Sequence, residues 1–287
     1  MIKGRQIKIY LADGSVTGIR HAEIINWTGQ ALAIPRTRVK DLSSWDECHK
    51  PGVYFLFGVD GETGNDAVYI GEAEHVANRI QQHLSKKDFW NETICFTNKD
   101  ENLTKAHVKY LESRLVALAS QTNRYELLNG NLPPQATLPR GDRDAMEEFI
   151  NNVRLLLGSL GYRLLEPLTV SEPVADTPNK HFDLLTLKVK KFSASALQTD
   201  EGLVVLAGAE ASLLTNPSLS KGYTKVRDNL KDKEKLIIPD DKLILQEDTL
   251  FASPSQAAAV LLGYPCSGPE YWLTRDGISL KQQETQT

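Results

Sequence analysis

The sequence predicts an α+β protein, and three observations support this prediction. A continuous apolar run at 53–57 and a second run at 67–70 are typical of two paired strands. Apolar residues then recur every four positions over 76–84, which is helical spacing. A stretch at 166–181 has three prolines and no periodicity, so it predicts a linker before a second, small α+β domain.

Composition excludes several classes of protein. The chain has 287 residues, 41% of them hydrophobic, and a net charge of −4, so it is neither collagen-like nor fully disordered. No stretch approaches the roughly 20 apolar residues of a membrane-spanning helix. Its three cysteines form no Cys-x-x-Cys pair, which argues against a zinc site and against disulfides. We therefore expect a cytoplasmic protein with inert thiols.

The N-terminal segment, residues 1–48, predicts a small β unit. Ile7–Leu11 and Ile19–Ile25 flank an Asp-Gly turn, and Val39–Trp45 follows as a short helical connector. Residues 1–45 carry seven basic and three acidic side chains, so this segment is locally +4. A basic surface of this kind can contact phosphates even in a mildly acidic protein. The candidates for nucleic-acid contact are Arg36, Arg38 and Lys40.

Two further regions follow, at 49–165 and 182–287. In the first, the apolar patterns predict a third strand at 93–96, a long helix that begins at Thr104 and a trailing helix at 143–160. In the second they predict strands at 184–189, 191–196 and 202–206, an exposed charged helix face at 225–235, a helix at 253–263 and a terminal hairpin at 271–280.

One group of residues carries a chemical pattern. Gly52-Val53-Tyr54 and Tyr69-Ile70-Gly71 lie on the two paired strands. Arg79 and His83 are four residues apart, so one face of the next helix presents both. Glu112 lies in the long helix. Together these groups are a tyrosine pair, a cation, an imidazole and a carboxylate.

Residues Gly52 to about Leu132 resemble the GIY-YIG nuclease family, with Val53 in place of the isoleucine. The resemblance implies a three-stranded antiparallel sheet flanked by helices. It implies catalytic roles for Tyr54, Tyr69, Arg79, His83, Glu112 and a final asparagine. Spacing favours Asn123 for that last position, with Asn129 as the rival.

The chemistry of phosphodiester hydrolysis suits this set. One carboxylate, Glu112, is enough to hold a hydrated Mg²⁺ or Mn²⁺, because magnesium keeps most of its waters. Arg79 offers a planar fork to a phosphate. Tyr54, or His83 acting with it, can take the proton from an attacking water, although a free phenol has a pKa of about 10. The resemblance implies Tyr54 as the base; the residues alone do not order the two.

The C-terminal region resembles a small RAMA-like domain of unknown function that accompanies GIY-YIG nucleases and DNA-modifying enzymes in bacteria. The residues that carry this likeness are Ser253–Ala259, Gly263, Trp272 and Asp276-Gly277. It implies nucleic-acid targeting, whereas the residues taken singly fit the core of a small domain.

The sequence thus predicts a divalent-metal-dependent endonuclease that acts on nucleic acid, with DNA preferred and no membrane partner. The alternative is a catalytically silent nucleic-acid-binding protein with the same fold. A third possibility, a structural or interaction protein, would gain support if the two tyrosines pointed into the core.

Overall fold

The computed structural model describes residues 4–130, 133–134, 136–168, 184–189, 192–239 and 241–286. The chain divides into two compact units, Lys3–Pro167 and Leu168–Thr287. Each contains helices and antiparallel strands, so the α+β class is confirmed. Residues 169–181, most of the predicted linker, lie outside the described residues. In the described part of the chain, no helix is long and apolar enough to cross a membrane.

The first unit is built on one seven-stranded sheet. Its strands are β1 (Ile7–Leu11), β2 (Arg20–Ile24), β3 (Gly29–Pro35), β4 (Gly52–Val59), β5 (Asp66–Ala73), β6 (Trp90–Asn98) and β7 (Glu126–Leu127). Its helices are α1 (Val76–His83), α2 (Lys105–Thr122) and α3 (Arg140–Ser159), with 3-10 helices at Arg36–Ser44 and Asp46–His49. The strand order is β1-β2-β3-β6-β4-β5-β7, and only β5 and β7 pair in parallel.

The N-terminal β unit predicted over 1–48 is not a separate sheet. The sequence analysis missed β3, which pairs antiparallel with β6 from Gly29 opposite Asn98 to Pro35 opposite Glu92. All but the last residue of β3 are buried, as expected of a central strand covered on both faces. The three strands predicted for the central module, β4, β5 and β6, are neighbours, but they form the middle of a larger sheet.

The two faces of this sheet pack against different elements. On β4, Val53, Phe55 and Phe57 belong to the core that contains the apolar residues of α2 and α3; we call this the α2–α3 face. Tyr54 and Leu56 belong to a second core, with α1 and the two 3-10 helices; we call this the α1 face. Alternation along one strand therefore places the first signature tyrosine on the α1 face.

Two of the three cysteines also meet on the α1 face. Cys95 on β6 lies opposite Tyr54 on β4, and its sulfur is 3.2 Å from that of Cys48. Both thiols are free and buried. Local sequence pattern does not reveal this contact, because 47 residues separate the two positions.

The second unit holds two smaller sheets, with strand orders β14-β10-β9-β8 and β11-β13-β12. Its strands are β8 (Leu184–Val189), β9 (Phe192–Thr199), β10 (Gly202–Val205), β11 (Glu210–Ala211), β12 (Leu236–Ile237), β13 (Leu243–Leu245) and β14 (Thr249–Phe251). Its helices are α4 (Lys221–Asp232), α5 (Pro254–Leu262), α6 (Gly268–Tyr271) and α7 (Leu280–Gln286).

Two predictions for this unit need correction. The terminal hairpin is shorter than predicted: Leu273 and Ser279 form a single antiparallel bridge around the turn, and α6 and α7 flank it. The charged stretch at 225–235 is not wholly an exposed face. Arg227 is buried and donates to the backbone carbonyls of Val260 and Ser212, so its charge serves the packing of this unit.

Candidate active site

Tyr54 fits against the tripeptide Tyr69-Ile70-Gly71 because that tripeptide ends in glycine. Tyr54 on β4 lies directly opposite Gly71 on β5 and is 0% exposed. A Cβ atom on Gly71 would stand 2.3 Å from the Tyr54 hydroxyl oxygen. Glycine is therefore required at 71 for the phenol to occupy its place.

Tyr54 is paired with His83, the last residue of α1. The Tyr54 hydroxyl lies 2.8 Å from His83 Nε2, and the imidazole is only 3% exposed. Burial, then the charge of Arg79, lowers the pKa of His83 to about 4, so the ring is neutral at pH 7. Its other nitrogen, Nδ1, is buried without a hydrogen-bond partner. A neutral ring accepts at one nitrogen only, so Nε2 is suited to accept the phenol's proton.

Arg79 and Tyr69 complete the cluster around this pair. The nearby Tyr54 phenol is the main cause that raises the pKa of Arg79. The Tyr69 ring centroid lies 6.4 Å from that of Tyr54 and 5.4 Å from that of His83. Burial, and then the charge of Tyr69, raises the pKa of Tyr54, and Arg79 only partly opposes this. The phenol therefore holds its proton in the protein as it stands.

Glu112, the carboxylate among the predicted site residues, lies next to the outer edge of β5. β7 pairs only with Ala67 and Val68, so the outer edge of β5 is free of strand beyond that point. At Ile70 the side chain of Asn129 takes over: it accepts from the backbone N–H at 3.0 Å and donates to the carbonyl at 2.7 Å. Two residues further on, the backbone N–H of Glu72 faces Glu112 and partly opposes the rise in the pKa of that carboxyl.

Glu112 is a half-buried carboxylate in the middle of α2. Burial, and then the nearby charge of Glu72, raises its pKa to about 7, which Arg79 partly offsets. The site thus gathers groups from α1, two strands and α2.

The structure brings five of the six predicted site residues together and separates the sixth. Tyr54, Tyr69, Arg79, His83 and Glu112 are linked by the contacts above. Asn123 caps the C-terminal end of α2 in a left-handed conformation, eleven residues or about 16 Å along the helix axis from Glu112. Asn129 lies beside Ile70 of the second tripeptide instead. Spacing favoured Asn123, whereas in the structure Asn129 is the asparagine that contacts the second tripeptide.

Comparisons with known proteins concern the second unit alone. A family model described as a domain of unknown function, DUF4357, matches residues 185–284. No curated protein and no solved structure matches the chain.

The predicted phosphate contacts of the N-terminal segment are largely occupied. Arg36 donates to the carbonyls of Leu84, Lys87 and Trp90, and it pairs with Asp88. Its guanidinium is therefore used inside the fold, which argues against the predicted phosphate contact for Arg36.

The other two basic residues of that segment differ from Arg36. Arg38 is paired with Asp13 and Asp41, which compensate its charge. Lys40 is exposed.

The residues present fit a hydrated magnesium ion better than zinc. Among the described residues, no group of three or more histidine, cysteine or acidic side chains could enclose a metal. What the site offers is oxygen: Glu112, with the charge of Glu72 close enough to raise its pKa. Two neighbouring carboxylates gain from a divalent cation, and Mg²⁺ accepts few protein ligands. Mn²⁺ would fit the same oxygen set.

Proposed function

We propose that the first unit is a GIY-YIG-type endonuclease that hydrolyses phosphodiester bonds in nucleic acid, with DNA preferred, and that it depends on Mg²⁺ or Mn²⁺. The observation that carries this proposal is the convergence of five side chains from four separate elements. An accidental motif in sequence has no reason to converge in space. The second unit is proposed to help position the enzyme on DNA.

Each side chain has a role that its surroundings support. Arg79, the guanidinium of the cluster, would bind non-bridging phosphate oxygens. Glu112 would hold the metal ion, which would withdraw charge from the phosphate and stabilise the departing oxygen. Tyr69 is half-buried and borders the Tyr54–His83 pair.

The Tyr54–His83 hydrogen bond supports a proposal for the order of these two groups, which the sequence left open. The phenol can take a proton from water only as it passes its own proton to His83 Nε2, because its raised pKa keeps it from ionising alone. The neutral imidazole is available for this transfer. His83 is thus the terminal proton acceptor and Tyr54 the relay.

One observation favours the two non-catalytic alternatives, a silent nucleic-acid-binding protein and a structural or interaction protein. Tyr54 is fully buried, so the attacking water would have to approach a hydroxyl that solvent does not reach in this structure. A cleavage assay separates the nuclease from both alternatives.

The full chain is incubated with supercoiled plasmid, single-stranded DNA and RNA, in Mg²⁺ or Mn²⁺. Glu112→Gln and Arg79→Ala are run beside it, with Glu101→Gln as a matched control on an exposed carboxylate. We expect each site variant to lower cleavage by about 100- to 1,000-fold, and the control to match wild type. Equal, negligible cleavage by wild type and all variants on every substrate would sink the enzyme proposal. Binding without cleavage would establish the silent alternative.

A further inference from the structure

A lysine that the sequence motif does not include lies at the candidate site. The ammonium of Lys87 is 4.0 Å from the centroid of the Tyr69 ring. A cation over an aromatic face is attracted by the negative face of the ring, more so when partly desolvated. Lys87 is half-buried.

The backbone of Lys87 is also held in place, by hydrogen bonds. The Lys87 N–H donates to the carbonyl of His83 at 3.1 Å, so the turn after α1 continues from the catalytic imidazole. Arg36 then donates to the Lys87 carbonyl at 2.7 Å and to that of Leu84 at 2.9 Å. The Arg36 guanidinium itself stacks 4.6 Å from the Trp90 ring. A half-buried arginine thus holds the turn that presents Lys87.

The charge of Lys87 itself has no acidic partner among the described residues. Burial, and then the positive charge of Arg79, lowers the pKa of Lys87, and among the described residues no carboxylate acts on it. Two cations held side by side repel each other unless an anion lies between or beside them. A phosphate group is such an anion, and a guanidinium next to an ammonium suits its oxygens.

We propose that Lys87 is a second cation of the site that contacts the phosphate backbone of the bound strand beside Arg79. This rests on the proposed function for the identity of the anion, nucleic-acid phosphate. The spacing supports it: Arg79, His83 and Lys87 recur every four residues and form one stripe along α1 and its following turn.

The test compares neighbouring lysines in the full chain. Lys87→Met removes the charge and keeps the length of the side chain, Lys87→Arg keeps the charge, and Lys86→Met is the matched control on an exposed neighbour. Binding to a labelled single-stranded and a labelled duplex oligonucleotide is measured in EDTA over a range of salt concentrations. Cleavage is measured separately in Mg²⁺.

We expect Lys87→Met to reduce the slope of log K against log salt by about one, as for one lost phosphate contact. Cleavage should fall by about 10- to 100-fold. Lys87→Arg should retain the slope. A common unfolding midpoint for all variants excludes loss of folding as the cause.

The outcomes separate this proposal from the previous one. If Lys87→Met and Lys86→Met change the slope and the cleavage rate equally, Lys87 contributes only general charge and the proposal is overturned. If wild type fails to cleave but Lys87→Met still lowers the slope, the phosphate contact stands and the nuclease function falls.

Discussion

The two faces of the seven-stranded sheet share the same strands but differ in chemistry. On the α2–α3 face, Phe55 stacks against Phe57 and meets Phe96 edge-on, and the layer between sheet and helices is almost wholly apolar. On the α1 face the buried layer contains the Tyr54–His83 hydrogen bond and a contact between two thiols. Adjacent residues of one strand thus enter two different environments.

Stability alone explains the composition of the α2–α3 face, but it does not explain that of the α1 face. Apolar burial on the α2–α3 face stabilises the fold without further conditions. The α1 face retains buried polar atoms without partners, among them His83 Nδ1, Trp90 Nε1 and Thr93 Oγ1. Such atoms cost free energy when water is excluded. Selection for packing alone would not retain these unpartnered polar atoms. The candidate site lies on the α1 face and around its edge.

The largest expected effect comes from truncating the apolar face. Phe55→Ala should lower the free energy of unfolding by about 4 kcal/mol, because a fully buried ring leaves a cavity. Tyr54→Phe, one residue away, should cost only about 1–2 kcal/mol, because it removes one hydrogen bond and keeps the ring. Urea denaturation measures both.

The effects of the two variants on cleavage should have the opposite order to their effects on stability. Folded Tyr54→Phe should lose activity, while Phe55→Ala should keep it at temperatures where it remains folded. Equal unfolding free energies for the two variants would contradict the contrast between the faces.

The next effect is the pH dependence that His83 contributes from the α1 face. The pKa of His83 is lowered to about 4 in the folded protein, from an ordinary value of about 6.5. As the pH falls below 6.5, the unfolded chain takes up this proton first, so stability is lost down to pH about 4 and then levels off. The loss from this one group is about 3 kcal/mol.

The measurement is the unfolding free energy at several pH values, for wild type and His83→Gln. The variant should lack this component, so the difference between the two curves isolates it from the carboxylates that titrate in the same range. Parallel curves from pH 7 to pH 4 would show that His83 is not held neutral by its burial.

A smaller effect tests the contact between the two signature tripeptides. Gly71→Ala should destabilise the protein by about 2 kcal/mol, because its Cβ would overlap the rigid Tyr54 phenol. Cleavage should fall with it, since the phenol must move away from His83.

Gly158→Ala in α3 is the control. Nothing lies within 4 Å of its added Cβ, so it should stabilise the helix by about 0.5–1 kcal/mol. Thermal unfolding measures the change in stability of both variants. A neutral Gly71→Ala would mean that Tyr54 is free to shift.

The sequence predicted best where local pattern and tertiary structure agree. The i, i+4 pair of Arg79 and His83 and the helix that starts after Thr104 follow from local spacing, and the structure has both. β3 was missed although it follows its partner β2 directly; its other partner, β6, lies about 60 residues further along the chain. Arg36 looked like a surface cation because its four partners all come from a later turn, which residue spacing does not reveal.

The smallest expected effect concerns the two candidate asparagines, Asn129 beside β5 and Asn123 at the end of α2. Asn129→Ala removes both hydrogen bonds to the Ile70 backbone and leaves those edge groups of β5 unpaired. We expect cleavage to fall by about tenfold, because the strand that carries Tyr69 and the Glu72 N–H is less firmly held. Asn123→Gly is the matched control: glycine tolerates the left-handed conformation at φ 49°, so activity should stay within about twofold. If Asn123→Gly proved the more damaging change, the helix end and not the strand edge would support the site.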